Sequence, residues 1–187
     1  IFSDIVRFRK FLYTQGILKS YTMPVPVIVV GNITVGGTGK TPLIIYLAEI
    51  LKNSGFNPGI ISRGYGGLAE SWPQRVNSDS DPKQIGDEAL LIAKQTHCPM
   101  AVGPSRVNAA NMLLAQTDCN VILSDDGLQH YALRRDIEIA VIDGERRFGN
   151  NYMLPAGPLR EPIERLQHVD FRIVNGEKKE GSELPCN

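Results

Sequence analysis

The stretch from Val27 to Pro42 constrains the fold of this chain more than any other. Val27-Ile28-Val29-Val30 is an unbroken β-branched run, the pattern of a strand buried on both faces. A loop containing Gly31, Gly36, Gly37 and Gly39 follows, and then Lys40-Thr41-Pro42 opens a segment with Leu43, Ile44, Leu47, Ile50 and Leu51 on one helical face. Strand, glycine loop and helix form the context in which a loop cradles phosphate. Glycines let backbone N–H groups approach phosphate oxygens, Lys40 brings a positive charge to the β- and γ-phosphates, and the Thr41 hydroxyl suits Mg²⁺. The nucleotide-binding set is therefore Thr34, Val35, Gly36, Gly37, Thr38, Gly39, Lys40 and Thr41. The strict Gly-x-x-x-x-Gly-Lys-Thr pattern is not met, because Thr34 stands where its first glycine belongs, so this is a variant P-loop.

The rest of the chain agrees with an α/β fold. Short apolar runs at Gly59–Ile61, Met100–Val102, Val121–Leu123, Ile137–Ile142 and Val169–Val174 alternate with helical patterns at Asp87–Gln95 and Arg106–Ala115. Such alternation predicts a mostly parallel sheet with helices on both faces. The loops after the strands then converge on one crevice at the carboxyl edge of the sheet. Ser62 to Pro82 is polar and glycine-rich and reads as a long loop. Phe2, Ile5, Val6 and Leu12, interleaved with Arg7, Arg9 and Lys10, predict a short amphipathic basic helix ahead of the Pro24-Val25-Pro26 break. The division expected is residues 1–22 for that helix, available for membrane contact, and residues 23–187 for the P-loop domain.

Composition narrows the function classes. Twenty Lys plus Arg balance twenty Asp plus Glu in 187 residues, so no net field recruits nucleic acid, and none is expected as a partner. Cys98, Cys119 and Cys186 form no C-x-x-C pair and are odd in number, which argues against a disulfide framework or a zinc site. No apolar run reaches membrane-spanning length.

Asp125 and Asp126 follow Val121-Ile122-Leu123, a position from which carboxylates face the phosphates and hold Mg²⁺ directly or through water. A carboxylate pair there is also a common solvated turn or cap. Asp87 and Glu88 follow Gly86 at a helix start, where acids are favourable in any case, or else serve as general base and metal-organising carboxylate. His130 lies just past the aspartate pair and reads as a structural hydrogen-bonder. The segment from Arg146 to Pro162 carries Arg146, Arg147 and Arg160 in a Pro- and Gly-rich loop, which either presents them to phosphate or leaves them solvated. These residues alone allow a kinase, another P-loop ATPase or GTPase, or a non-catalytic nucleotide-binding module. No Asn-Lys-x-Asp element for reading guanine is visible.

Taken in order, Val27 to Pro42, Ser62-Arg63-Gly64-Tyr65-Gly66-Gly67, Gly86-Asp87-Glu88, Asp125 to His130 and Leu154 to Glu161 strongly resemble the tetraacyldisaccharide 4'-kinases, the lipid A 4'-kinases. The resemblance covers most of the chain from about residue 24 to residue 176. It implies an ATP- and Mg²⁺-dependent kinase that phosphorylates the 4'-hydroxyl of a tetraacyl glucosamine disaccharide to form lipid IVA, a peripheral protein on the cytoplasmic face of the bacterial inner membrane. It also implies roles by motif: Asp87 as base, with Lys40 and Asp126 also in the catalytic set; Thr41, Glu88, Asp125 and Asp126 around magnesium; Tyr65 and His130 lining the nucleotide-binding site. Family chains carry more N-terminal sequence and a smaller second domain that nothing before Asn187 matches, so an incomplete version of the family chain is expected. The resemblance leaves acyl preference and oligomeric state open.

Overall fold

The structure is a computed structural model that describes residues 2–176; Cys186 lies outside the described residues. Helix α1 (Phe2–Thr14) precedes a seven-stranded sheet built from β1 (Val27–Gly31), β2 (Pro58–Ser62), β3 (Gln74–Val76), β4 (Met100–Val102), β5 (Val121–Asp125), β6 (Ile137–Asp143) and β7 (Phe171–Asn175). The strand order is β3-β4-β2-β5-β1-β6-β7. Every pairing is parallel except β3 with β4, which is antiparallel. Helices α2 (Lys40–Asn53), α3 (Pro82–Ile85), α4 (Asp87–Thr96) and α5 (Arg106–Gln116) connect the strands.

Period-two alternation explains why the central strands are mostly apolar. In β1, Val27 and Val29 enter one buried cluster, with Leu113 of α5 and Leu128, while Val30 enters the other, with Ile44 of α2 and Ile92 of α4. The same alternation divides Ile61 from Ile60, Ile122 from Leu123, and Ala140 and Ile142 from Ile139 and Val141. Each central strand therefore needs an apolar residue at nearly every position, as a sheet covered on both faces requires.

Four boundaries differ from the sequence reading. The N-terminal helix, expected over residues 1–22, ends at Thr14, and Gly16 follows with a left-handed φ of 71°. The expected loop from Ser62 to Pro82 contains edge strand β3, and α3 starts at its end, where the Asp81 side chain caps by accepting from the Lys83 N–H at 2.9 Å. The last strand starts at Phe171, because Ile163–His168 forms a 3₁₀ helix that Val169 closes. Strand β5 runs to Asp125, so the first aspartate of the pair is still strand and buried, while Asp126 takes a left-handed φ of 47°.

Chain order and sheet order together set the site. From β1 the chain builds outward through β2 to edge strand β3, returns through β4 and β5, and then crosses β1 to add β6 and β7 on the other side. The carboxyl ends of β1, β2 and β5 thus open on one crevice beside a switch in strand order, where open α/β sheets bind ligands.

Candidate active site

A cleft of about 800 Å³ opens at this edge. Val35, Gly36, Gly37 and Lys40 form one wall, Asp125 and Asp126 the floor, and Glu88 and Tyr65 the side reached from β2 and α4. Phe2, Ile5, Val6 and Arg9 of α1 close the far side. The helix is held there by Arg9, which donates to the Gln129 carbonyl at 3.3 Å, and by Tyr13 against the Tyr131 ring at 5.9 Å.

The departure at Thr34 has a structural reason. Thr34 is buried in an antiparallel β-bridge to Leu159, and the Val35 N–H donates to the Pro158 carbonyl at 2.8 Å. A β-compatible residue suits that position. The left-handed turns fall at Gly36 (φ 96°) and Gly39 (φ 85°), and Gly39 is the N-cap of α2, which places Lys40 and Thr41 in its first turn.

The charges are tightly coupled. Lys40 Nζ lies 3.4 Å from Asp126 Oδ1, and Arg160 Nη1 donates to both oxygens of Asp126, at 3.2 and 3.0 Å. Burial opposes ionisation of Asp126, but Lys40 and then Arg160 outweigh it, so its pKa lies below the ordinary carboxylate value. Asp125 goes the other way. Burial first, and then the nearby Glu88 charge, push it up to about 6, against a lowering bond from Ser62 Oγ at 2.9 Å. Asp125 Oδ1 is buried with no hydrogen-bond partner among the described residues, and the Thr41 hydroxyl donates to Glu88 Oε1.

An orphaned carboxylate oxygen, a second carboxylate repelling it and a hydroxyl make an oxygen-only donor set suited to a hard divalent cation. Among the described residues, no group of three His, Cys, Asp or Glu side chains encloses a metal. Mg²⁺ bound with nucleotide needs none, since it takes one or two carboxylates and fills its shell with phosphate and water.

The raised Asp125 pKa carries a stability consequence. Between about pH 4 and pH 6 the folded state binds more protons at this group than the unfolded state does, so stability falls as pH rises through that window. The full cost, at most about 3 kcal/mol, is present above pH 6. In EDTA and without nucleotide, Asp125→Asn should therefore lose less urea stability than the wild type between pH 4 and 7. Parallel pH profiles for the two proteins would show that Asp125 is ionised normally.

Of the residues expected from the sequence, Val35, Gly36, Gly37, Lys40, Tyr65, Glu88, Asp125 and Asp126 meet in the cleft. Thr38 is buried beneath the loop, and Thr34 lines a smaller cavity beside Arg146. Asp87 and Thr41 line an adjoining groove of about 680 Å³, with Glu88 common to groove and cleft. His130 lies in a third cavity, of about 270 Å³, with Arg9, Arg63, Arg106 and Arg160. Burial, and then Arg106 and the other arginines, lower its pKa to about 4, so His130 is neutral at pH 7.

Sequence reasoning did not assign Arg106, Gln129, Tyr131 or Glu161 to the site. Arg106, read only as the start of a helix, is buried and donates to the carbonyls of Gly103 at 3.0 Å and Asp125 at 3.1 Å, which fixes the end of β5. Glu161 is buried and accepts from Gln129 at 2.9 Å and from the Tyr131 phenol, whose pKa is raised by burial and by that carboxylate. The Leu-Arg-Glu end of the proline-rich segment was the available signal, since it supplies both Arg160 and Glu161.

This arrangement falls in the P-loop NTPase-like class of α/β domains. The chain belongs to the tetraacyldisaccharide-1-P 4'-kinase family, whose model matches residues 1–186. It is 60% identical over 176 residues to the tetraacyldisaccharide 4'-kinase of Nitrosococcus oceani, covering 94% of this chain and 52% of that protein. It is 49% identical over 183 residues to that of Pseudoalteromonas atlantica, covering 98% of this chain and 60% of that protein. The crystal structure of the "apo" form of LpxK from Aquifex aeolicus in complex with ATP superposes with a TM-score of 0.87 at 34% identity, over 97% of this chain and 58% of that one. The chain thus spans about half the length of the curated relatives it matches.

Proposed function

We propose that this chain carries the nucleotide-binding part of an ATP- and Mg²⁺-dependent kinase that phosphorylates the 4'-hydroxyl of a tetraacyl glucosamine disaccharide, forming lipid IVA for lipid A. The observation that carries the reading is one cleft holding Lys40 of the variant P-loop, the Asp125–Asp126 pair and Glu88, with the amphipathic basic helix α1 at its mouth. The ATP bound by the Aquifex aeolicus relative supports the choice of nucleotide.

Phosphoryl transfer asks for charge neutralisation and in-line placement more than for covalent chemistry. Lys40 and the loop N–H groups bind the β- and γ-phosphates. Mg²⁺, when bound, neutralises charge on the transferring phosphoryl group; Thr41, Glu88, Asp125 and Asp126 are the residues that would hold it. Arg160 and Lys40 keep Asp126 ionised for that work. Asp87, one residue from Glu88 at the junction of groove and cleft, accepts the proton of the attacking 4'-hydroxyl. Tyr65 and the neutral His130 line the approaches to the nucleotide.

Among the described residues no helix is long and apolar enough to cross a membrane. Ile5, Phe8 and Phe11 on α1, and Ile17 just beyond it, are each more than half exposed, beside Arg7 and Lys10. That apolar and basic surface supports peripheral binding at the cytoplasmic face of the inner membrane, where residues 1–22 would meet the lipid acceptor. The test is transfer of label from [γ-³²P]ATP to the lipid disaccharide. Label released only as inorganic phosphate would make the protein an ATPase, and ATP binding without turnover a nucleotide-binding module.

A further inference from the structure

We propose that Asn32, Arg146 and Asn175 are positioning residues that turn the carbonyls of Gly36, Gly37 and Thr38 away from the bound phosphates. The proposal rests on the nucleotide reading above and deepens it.

A loop that binds phosphate through backbone N–H groups must keep its carbonyl oxygens, the negative ends of the same peptides, facing outward. Glycine gives that orientation no help, because it populates both halves of φ space about equally. Side-chain donors can impose the orientation instead, and three are placed to do so. Asn32 Nδ2 donates to the Gly36 carbonyl at 3.3 Å, Arg146 Nη2 to the Gly37 carbonyl, and Asn175 Nδ2 to the Thr38 carbonyl at 3.3 Å. Three consecutive carbonyls are thus held by three donors that lie far apart in sequence.

Asn32 sits at the buried root of the loop, and the other two donors belong to the framework around it. Asn32 follows β1 and is fully buried, Asn175 is the last residue of β7, and Arg146 follows β6 by three residues. Asp143, the last residue of β6, aims the arginine: its Oδ1 accepts from the N–H of Arg146 at 2.8 Å and of Glu145 at 3.0 Å, while its Oδ2 accepts from Arg146 Nε at 2.7 Å. The loop glycines leave room for the donors. A Cβ on Gly39 would lie 2.2 Å from Asn175 Nδ2, and one on Gly36 would lie 3.0 Å from Arg146 Nη1. Carboxylates therefore reach the cleft from β5 and α4, and the loop is pinned from the β6 and β7 side.

Asn175→Asp tests this with almost no change of shape, since it exchanges the donor for an oxygen that repels the Thr38 carbonyl. In the full-length protein, Asn175→Asp and Arg146→Ala should each weaken Mg-ATP binding by calorimetry about tenfold and raise KM for ATP in step. KM for the lipid acceptor and the nucleotide-free melting temperature should stay near wild type. Arg146→Lys should recover only part of the loss, because one ammonium group cannot serve Asp143 and Gly37 as the guanidinium does. ATP affinities within twofold of wild type in both Asn175→Asp and Arg146→Ala would overturn the proposal, as would affinity losses that merely follow a fall in melting temperature. Wild-type protein that bound no ATP would instead overturn the nucleotide reading, and this proposal with it.

Discussion

Lys40→Ala is expected to lower kcat/KM for phosphoryl transfer on the order of 10³-fold, with ATP affinity falling at least about tenfold. Lys40 stands at the first position of α2 with its side chain only 11% exposed and its ammonium 3.4 Å from Asp126. A charge so placed acts on bound phosphate with little screening, in the ground state as well as in the transition state. Its removal also takes away one of the two cations that hold Asp126 ionised, leaving Arg160 alone on that carboxylate. Lys40→Arg is expected to restore little, since the planar fork replaces a compact point charge in a site lined by Gly36 and Gly37. Parallel measurements of kcat, KM and the dissociation constant of ATP check this; a fall in kcat with ATP affinity intact would contradict it.

Asp87→Ala should give the opposite signature: kcat lower by about 10² to 10⁴, as for loss of a general base, and ATP affinity within about threefold of wild type. Asp87 is exposed in the groove beside the cleft, whereas the adjacent Glu88 reaches the cleft and accepts from Thr41. The helix dipole favours both acids in the first turn of α4, so their removal carries a small stability cost that a melting curve would reveal. Equal losses of ATP binding in Lys40→Ala and Asp87→Ala would dissolve this division of labour. A kcat unchanged in Asp87→Ala would take the base role away from that residue.

The contrast between Asp87 and Glu88 marks where sequence reading stops. Consecutive helical residues point about 100° apart, so of two acids that line the same groove only Glu88 also reaches the cleft, and only the packing of α4 decides which one does. The central strands were legible because burial on both faces demands unbroken apolar runs, and the phosphate loop because its strand and helix flank it directly. Edge strand β3 was not, since Gln74-Arg75-Val76 has one buried residue and is a strand only by pairing with β4. Arg106 was hidden for another reason. Its partners are carbonyls near two different strand ends, and nothing in a helix start signals a buried guanidinium. The ion pair of Arg160 with Asp126 and the bond from Asn175 to Thr38 span 34 and 137 residues, separations that only the crossing of β1 by the chain brings together.

Transfer of the γ-phosphate of ATP to one hydroxyl of a lipid disaccharide has a single direct readout. It is tested most directly by incubating the full-length protein with [γ-³²P]ATP, Mg²⁺ and the tetraacyl disaccharide 1-phosphate, beside the same acceptor lacking its 4'-hydroxyl. Label should enter the first lipid and not the second. Label in neither lipid, or in both alike, would contradict the account.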